Sequence, residues 1–239
     1  MYLIKVNSYQ EMSDKAADIL FDVITSKERP VIGLATGSTP EGTYKALSDK
    51  LNSSTVDQSK ITTFNLDEYV GLDRNHNQSY AYYMNENFFN HVSIPEENIN
   101  LLNGKAADEE EEVKSYEEKI DEQGLDIQLL GIGRNGHIAF NEPGTSFDSL
   151  THAVELTEET IEDNSRFFDD KESVPGRALS MGLKSIMKAK KILILINGEN
   201  KKEALSELLN GVVTEENPAS ILNNHPDVTI IADSAAIGE

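Results

Sequence analysis

No cysteine occurs among the 239 residues, which excludes disulfides, thiol nucleophiles and cysteine-based zinc sites together. Positive charge is scarce too: 21 Lys and Arg stand against 42 Asp and Glu, a formal net charge of −21. A field of that sign repels phosphate backbones and anionic lipid, so neither nucleic acid nor a membrane surface is expected as a partner. A phosphorylated small molecule would need a locally positive or amide-lined pocket. Long apolar runs are also missing. Ile192–Ile196 is far short of the ~20 residues that span a bilayer. The first fifteen residues carry Glu11 and Asp14 and no apolar stretch, unlike a signal peptide, so a cytoplasmic protein is expected. There is no internal repeat, low-complexity linker or composition break, and one domain over residues 1–239 is expected.

What is present is an alternation. Short runs rich in Val, Ile and Leu at 31–35, 61–66, 127–130, 191–196 and 228–232 read as strands buried on both faces. Amphipathic stretches near 10–26, 40–51, 77–91, 106–123 and 199–210 separate them. This pattern predicts an α/β fold, a Rossmann-like three-layer domain with a mostly parallel central sheet and helices on both faces. The stretch around 156–178, with Pro175 and Gly176, is the least regular and is expected to form a flap. The acidic run from Asp108 to Glu112 reads as a solvated helix face. In parallel sheets ligands bind beyond the carboxyl ends of the strands, so the segments after each run are where chemistry is sought.

Three such segments stand out. Thr36-Gly37-Ser38-Thr39-Pro40-Glu41 joins a strand to a helix, with Thr39 as expected N-cap and Pro40 as first helical residue. Amides at that helix start, flanked by three hydroxyls, make an anion site. Asp67-Glu68 follows the second strand; such acids can cap a turn, or a rigidly held carboxylate can serve as general base. The third, Gly131-Ile132-Gly133-Arg134-Asn135-Gly136-His137, matches G-x-G-x-x-G, with Glu155 near the offset of a ribose-binding acid. A dinucleotide site requires a helix next, and Asn141-Glu142-Pro143-Gly144 leaves no room for one. The glycines are instead expected to let the backbone approach a small ligand. His137, with Asn135 and Glu142 close in sequence, suits proton shuttling near neutral pH. His76, His91, His152 and His225 lack such surroundings and read as surface or satisfied core residues. A metal site from Asp67, His137 and Glu142 has no recognisable ligand spacing and is not expected.

Leu34 to Pro40, Asn65 to Gly71, Gly136 to Pro143 and Asn164-Ser165-Arg166-Phe167-Phe168 together resemble glucosamine-6-phosphate deaminases, over about residues 2–233. The resemblance implies conversion of glucosamine 6-phosphate and water to fructose 6-phosphate and ammonia, without metal or organic cofactor. It implies a fold shared with 6-phosphogluconolactonases. Carried over, Asp67 would move the C2 proton to C1 through an enolamine. His137 would open the sugar ring, assisted by Asn135 and Glu142. Thr36, Gly37, Ser38, Thr39, Arg166 and Lys201 would hold the phosphate, with Lys202 as a rival for the last role. Many members carry Asp where this chain has Asn135, so Glu142 is expected to supply the charge coupled to His137. Longer members are allosteric oligomers; for this chain a monomer or small homo-oligomer is expected. The rival readings are a 6-phosphogluconolactonase, a sugar-phosphate sensor and a nicotinamide oxidoreductase.

Overall fold

The computed structural model describes residues 1–165, 168 and 174–238. Seven strands form one parallel sheet: β1 (Tyr2–Val6), β2 (Val31–Leu34), β3 (Thr62–Asn65), β5 (Ile99–Asn100), β6 (Ile127–Leu130), β9 (Ile192–Ile196) and β10 (Val228–Asp233). Their order across the sheet is β1-β10-β9-β6-β2-β3-β5. Every residue of β2, β6 and β9 is buried, which is why their sequences are rich in Val, Ile and Leu without alternation, the polar Gln128 in β6 excepted. Helices α1 (Tyr9–Thr25), α2 (Glu41–Ser53), α3 (Tyr80–Asn87), α4 (Glu109–Gln123) and α7 (Lys202–Asn210) connect them, covering both faces. The fold is the expected α/β arrangement.

From β2 the chain winds outward through β3 to β5, then returns to lay β6 on the other side of β2. Loops leaving β2 and β6 therefore diverge, and a crevice forms between them at the carboxyl end of the sheet.

A second sheet was not expected. β4 (Asp67–Tyr69), β8 (Arg177–Ser180) and β7 (His152–Glu155) form an antiparallel sheet in the order β4-β8-β7. The expected strand over 61–66 therefore ends early, and Leu66 bridges the two sheets. Its N–H donates to Leu34 O (3.2 Å) in the large sheet, and its carbonyl accepts from Met181 N (2.7 Å) beside the small one. Strands of three and four residues that are not continuous apolar runs carry too little pattern to be read from sequence.

Other boundaries move for local reasons. Ala35 lies beyond β2 because its carbonyl accepts from the Tyr44 hydroxyl, whose oxygen accepts from Ala35 N (3.1 Å). Helix 77–91 shortens to α3, capped by Ser79 Oγ, followed by a separate 3₁₀ turn at Phe89–His91. The acidic run begins α4, with Asp108 as its cap. Of the expected flap, the described part holds α5 (Glu158–Ser165) and the start of β8; residues 166–167 and 169–173 lie outside the described residues. Two short helices complete the chain, α6 (Leu183–Ile186) and α8 (Ser234–Ile237). Among these residues no helix is long and apolar enough to cross a membrane.

Candidate active site

A cavity of about 830 Å³ opens beyond the carboxyl ends of β2, β6 and β9, at the reversal of strand order. Thr36, Gly37, Ser38 and Thr39 form one wall. Gly37 turns the loop with φ +103°, a conformation that strains any residue with a Cβ. Its carbonyl accepts from the Tyr83 hydroxyl on α3 (2.6 Å), and Ser38 O accepts from Tyr9 (3.0 Å). With two carbonyls tied back by tyrosines, Tyr83 from the cavity wall and Tyr9 from α1, the loop's shape is held in place. The expected cap is corrected: Pro40 occupies the cap position with no side-chain bond, and α2 begins at Glu41. The Thr39 hydroxyl donates instead to Asn197 Oδ1 (2.7 Å), joining the loop after β2 to the loop after β9.

Asp67 lies across the same cavity, 6% exposed. Among the described residues its carboxylate has neither a hydrogen bond nor an ion pair. Burial pushes its carboxyl up from the usual 3.8 to about 8, and the neighbouring Glu68 adds to the effect. The two acids thus divide the readings the sequence left open. Glu68, buried on the other side of β4, is the capping acid: it accepts from Tyr69 N (2.8 Å), Tyr80 N (2.9 Å) and Ala81 N (2.9 Å) at the start of α3. Asp67 caps nothing and is placed to take a proton.

His137 lines the cavity, while Asn135 and Glu142 stand behind it. Asn135 Nδ2 donates to Glu142 Oε2 (2.9 Å), so its oxygen must face His137. That oxygen accepts from His137 N (3.1 Å) and lies 2.7 Å from the ring Nδ1. An amide oxygen cannot donate, so this network assigns the proton to Nδ1 and leaves Nε2 as the proton-accepting nitrogen of the neutral ring. Glu142 Oε2 is 3.7 Å from Nδ1, and the Thr160 hydroxyl on α5 donates to Oε1. Gly133 also makes room for this histidine: a Cβ there would meet the imidazole Cε1 at 2.2 Å, so the chain must lack a side chain for the ring to fit. Gly131 and Gly133 both line the cavity, with open space beside Gly131, while a Cβ on Gly136 would meet Asn217 instead. No helix follows β6, and Glu155 pairs with Arg177 (2.9 Å), which removes the dinucleotide reading.

Lys201 lines the cavity. Lys202 instead packs its ammonium end against Gly238 beyond α8, so the two lysines face different surroundings. Arg166 lies outside the described residues. Among the described residues no cluster of three His, Asp or Glu side chains is placed to hold a metal ion. His225 is a satisfied core residue, its Nε2 2.7 Å from Ala189 O. Sequence reasoning missed Asn197, Tyr83 and Thr160. Asn197 follows a parallel strand directly and could have been found by position; the other two carry no sequence signal, because tertiary packing alone brings them in.

A family model described as glucosamine-6-phosphate isomerases/6-phosphogluconolactonase matches residues 5–231. A glucosamine-6-phosphate deaminase from Clostridium acetobutylicum is 54% identical over 237 residues, covering 99% of this chain and 98% of the relative. One from Thermoanaerobacter pseudethanolicus is 54% identical over 235 residues, 98% of this chain and 92% of that one. The solved structure of a monomeric glucosamine-6-phosphate deaminase superposes with a TM-score of 0.97 at 47% identity, covering 100% and 99% of the two chains. The 6-phosphogluconolactonase of Trypanosoma brucei, at 18% identity and TM-score 0.83, shares the fold alone. With a family model spanning nearly its whole length, and relatives above half identity over nearly all of it, this chain belongs to the glucosamine-6-phosphate isomerase/6-phosphogluconolactonase family.

Proposed function

We propose that the chain is a glucosamine-6-phosphate deaminase, converting glucosamine 6-phosphate and water to fructose 6-phosphate and ammonia. The observation that carries this reading is Asp67: a buried, unpaired carboxylate facing one cavity with an amide-and-hydroxyl loop and a histidine. The loop at 36–39 and Lys201 hold the phosphate, with amides at a helix start supplying most of the favourable field. Arg166 is assigned to the same phosphate by resemblance.

Anchoring the phosphate end fixes the ring oxygen and C2. His137, through Nε2, moves the proton that opens the ring to the free aldehyde, and Glu142 stabilises the imidazolium through Asn135. Asp67 then takes the hydrogen from C2 and returns it to C1. The C2 electron pair forms the C1–C2 double bond of the enolamine as O1 takes up a proton, and protonation at C1 draws in the nitrogen lone pair to leave an iminium at C2. Water adds to that carbon, and loss of ammonia and one proton leaves the ketone, which returns the proton gained at O1. Asp67 must be ionised to begin this and protonated midway, which a carboxyl with a raised pKa does readily.

A cytoplasmic monomer fits this reading, since the structure at 47% identity is described as monomeric. Ammonia release from glucosamine 6-phosphate by the wild type and by Asp67→Asn, with deuterium exchange at C2 followed in parallel, tests the proposal. The variant should bind the sugar yet lose both exchange and turnover. A wild type that instead hydrolyses 6-phosphogluconolactone and releases no ammonia would overturn it.

A further inference from the structure

Glu68 is a buried acid beside the site that this chemistry leaves unused. It is 3% exposed, and unlike Asp67 and Tyr69 on either side it does not line the cavity. Its two oxygens are both engaged with α3: Oε1 accepts from Tyr69 N and Tyr80 N, and Oε2 from Ala81 N. The carboxylate thus occupies the amide-rich start of the helix, where negative charge is best accommodated. Ser79 Oγ completes the cap by accepting from Tyr82 N (3.0 Å).

The helix so held reaches the cavity twice. Tyr80 stacks parallel on Phe140 (ring centroids 6.0 Å, 10° apart) and packs on Tyr69 (4.9 Å). One turn later the Tyr83 hydroxyl holds the carbonyl of Gly37 in the 36–39 loop. A single carboxylate therefore stands between the strand bearing Asp67 and the helix bearing the clamp on that loop. Resting on the deaminase reading, we infer that Glu68 is a positioning residue: it ties the base-bearing strand to the helix that shapes the phosphate loop, so that phosphate grip and base placement are set together.

The electrostatics add a readout that a merely structural cap lacks. The groups facing Asp67 are Glu68 and the hydroxyls of Tyr44, Tyr69, Tyr80 and Tyr116. Burial pushes all four tyrosines up, so they stay neutral, and Glu68, itself pushed up by burial against the opposing pull of its three N–H donors, is the acid among these neighbours. Glu68 is itself faced by Arg74, Asp67, Tyr69 and Tyr80.

Ammonia release against substrate concentration and pH tests the inference in wild type, Glu68→Gln, Ser79→Ala and Tyr83→Phe. In Glu68→Gln an amide group faces Ala81 N–H, donor against donor. KM should rise about tenfold, and the acid limb of kcat/KM should move to lower pH as the repulsion on Asp67 is lost. Ser79→Ala and Tyr83→Phe loosen the same helix without changing charge, so they should raise KM and leave the limb in place. The Glu68→Gln/Tyr83→Phe double variant should raise KM by less than the product of the single effects. A Glu68→Gln enzyme with altered Tm alone, or a double variant whose effects multiply, overturns the inference. If Glu68→Gln does not fold, unchanged KM in both Ser79→Ala and Tyr83→Phe overturns it equally. A wild type that releases no ammonia would defeat the functional reading instead; fructose 6-phosphate binding by the same variants then tests the coupling alone.

Discussion

Asp67→Asn should lower turnover by orders of magnitude and stabilise the protein, and the stabilisation should have a defined pH dependence. In the folded chain the Asp67 carboxyl is pushed from 3.8 to about 8. The native state therefore holds this proton more tightly than the unfolded state does. A raised pKa leaves stability complete below about pH 4 and removes it as pH rises toward 8. Each unit is worth about 1.4 kcal/mol, so wild type should lose stability at about that rate per pH unit, roughly 5–6 kcal/mol across the window. Asparagine keeps the shape and has no proton to lose. Urea unfolding of the ligand-free proteins at pH 5, 6, 7, 8 and 9, followed by far-UV circular dichroism because the chain has no tryptophan, gives both curves. The stability difference should widen steadily to about pH 8 and then flatten. A difference that stays constant with pH, or a variant less stable than wild type at pH 8, would refute the argument that desolvation sets this carboxyl. Loss of a general base should lower kcat by about 10²–10⁴-fold.

Three further outcomes follow from the same geometry. Glu142→Gln removes the carboxylate behind Asn135, so kcat should fall at least about tenfold with a displaced pH profile; an unchanged profile would mean that Asn135 alone sets the imidazole. Lys201→Ala should raise KM for glucosamine 6-phosphate severalfold while Lys202→Ala leaves it near wild type, as steady-state kinetics would register. Away from the cavity, burial acts to raise the Glu117 carboxyl, but Lys188 (2.6 Å), Ser185 (2.6 Å) and Thr151 outweigh it and hold it below its usual value. This acid therefore contributes stability above its unfolded pKa that is lost as pH falls. Glu117→Gln should cost about 2 kcal/mol at pH 7 and less at pH 3, measured by urea denaturation.

The division between what was legible and what was not follows from range. Buried parallel strands announce themselves, because both faces are largely apolar; β6 has the expected bounds despite its Gln128, and β9 differs by one residue. The loop at 36–39 was legible because a strand, a glycine and a helix start sit within ten residues, the local pattern on which the proposed anion site rests. Asp67 and His137 were legible as strand-end residues carrying titratable groups.

Sequence order could not say which of two adjacent acids caps and which reacts. The choice depends on Leu66 passing from one sheet to the other, which turns Glu68 toward α3 and Asp67 toward the cavity. Nor could it place Thr160 on Glu142 or Tyr83 on Gly37, pairs separated by 18 and 46 residues. Hydrophobic pattern is a property of neighbours along the chain and fixes the elements by itself. The raised carboxyl of Asp67 and the proton position on His137 depend instead on which groups meet, and on how much water is excluded, once the elements have packed.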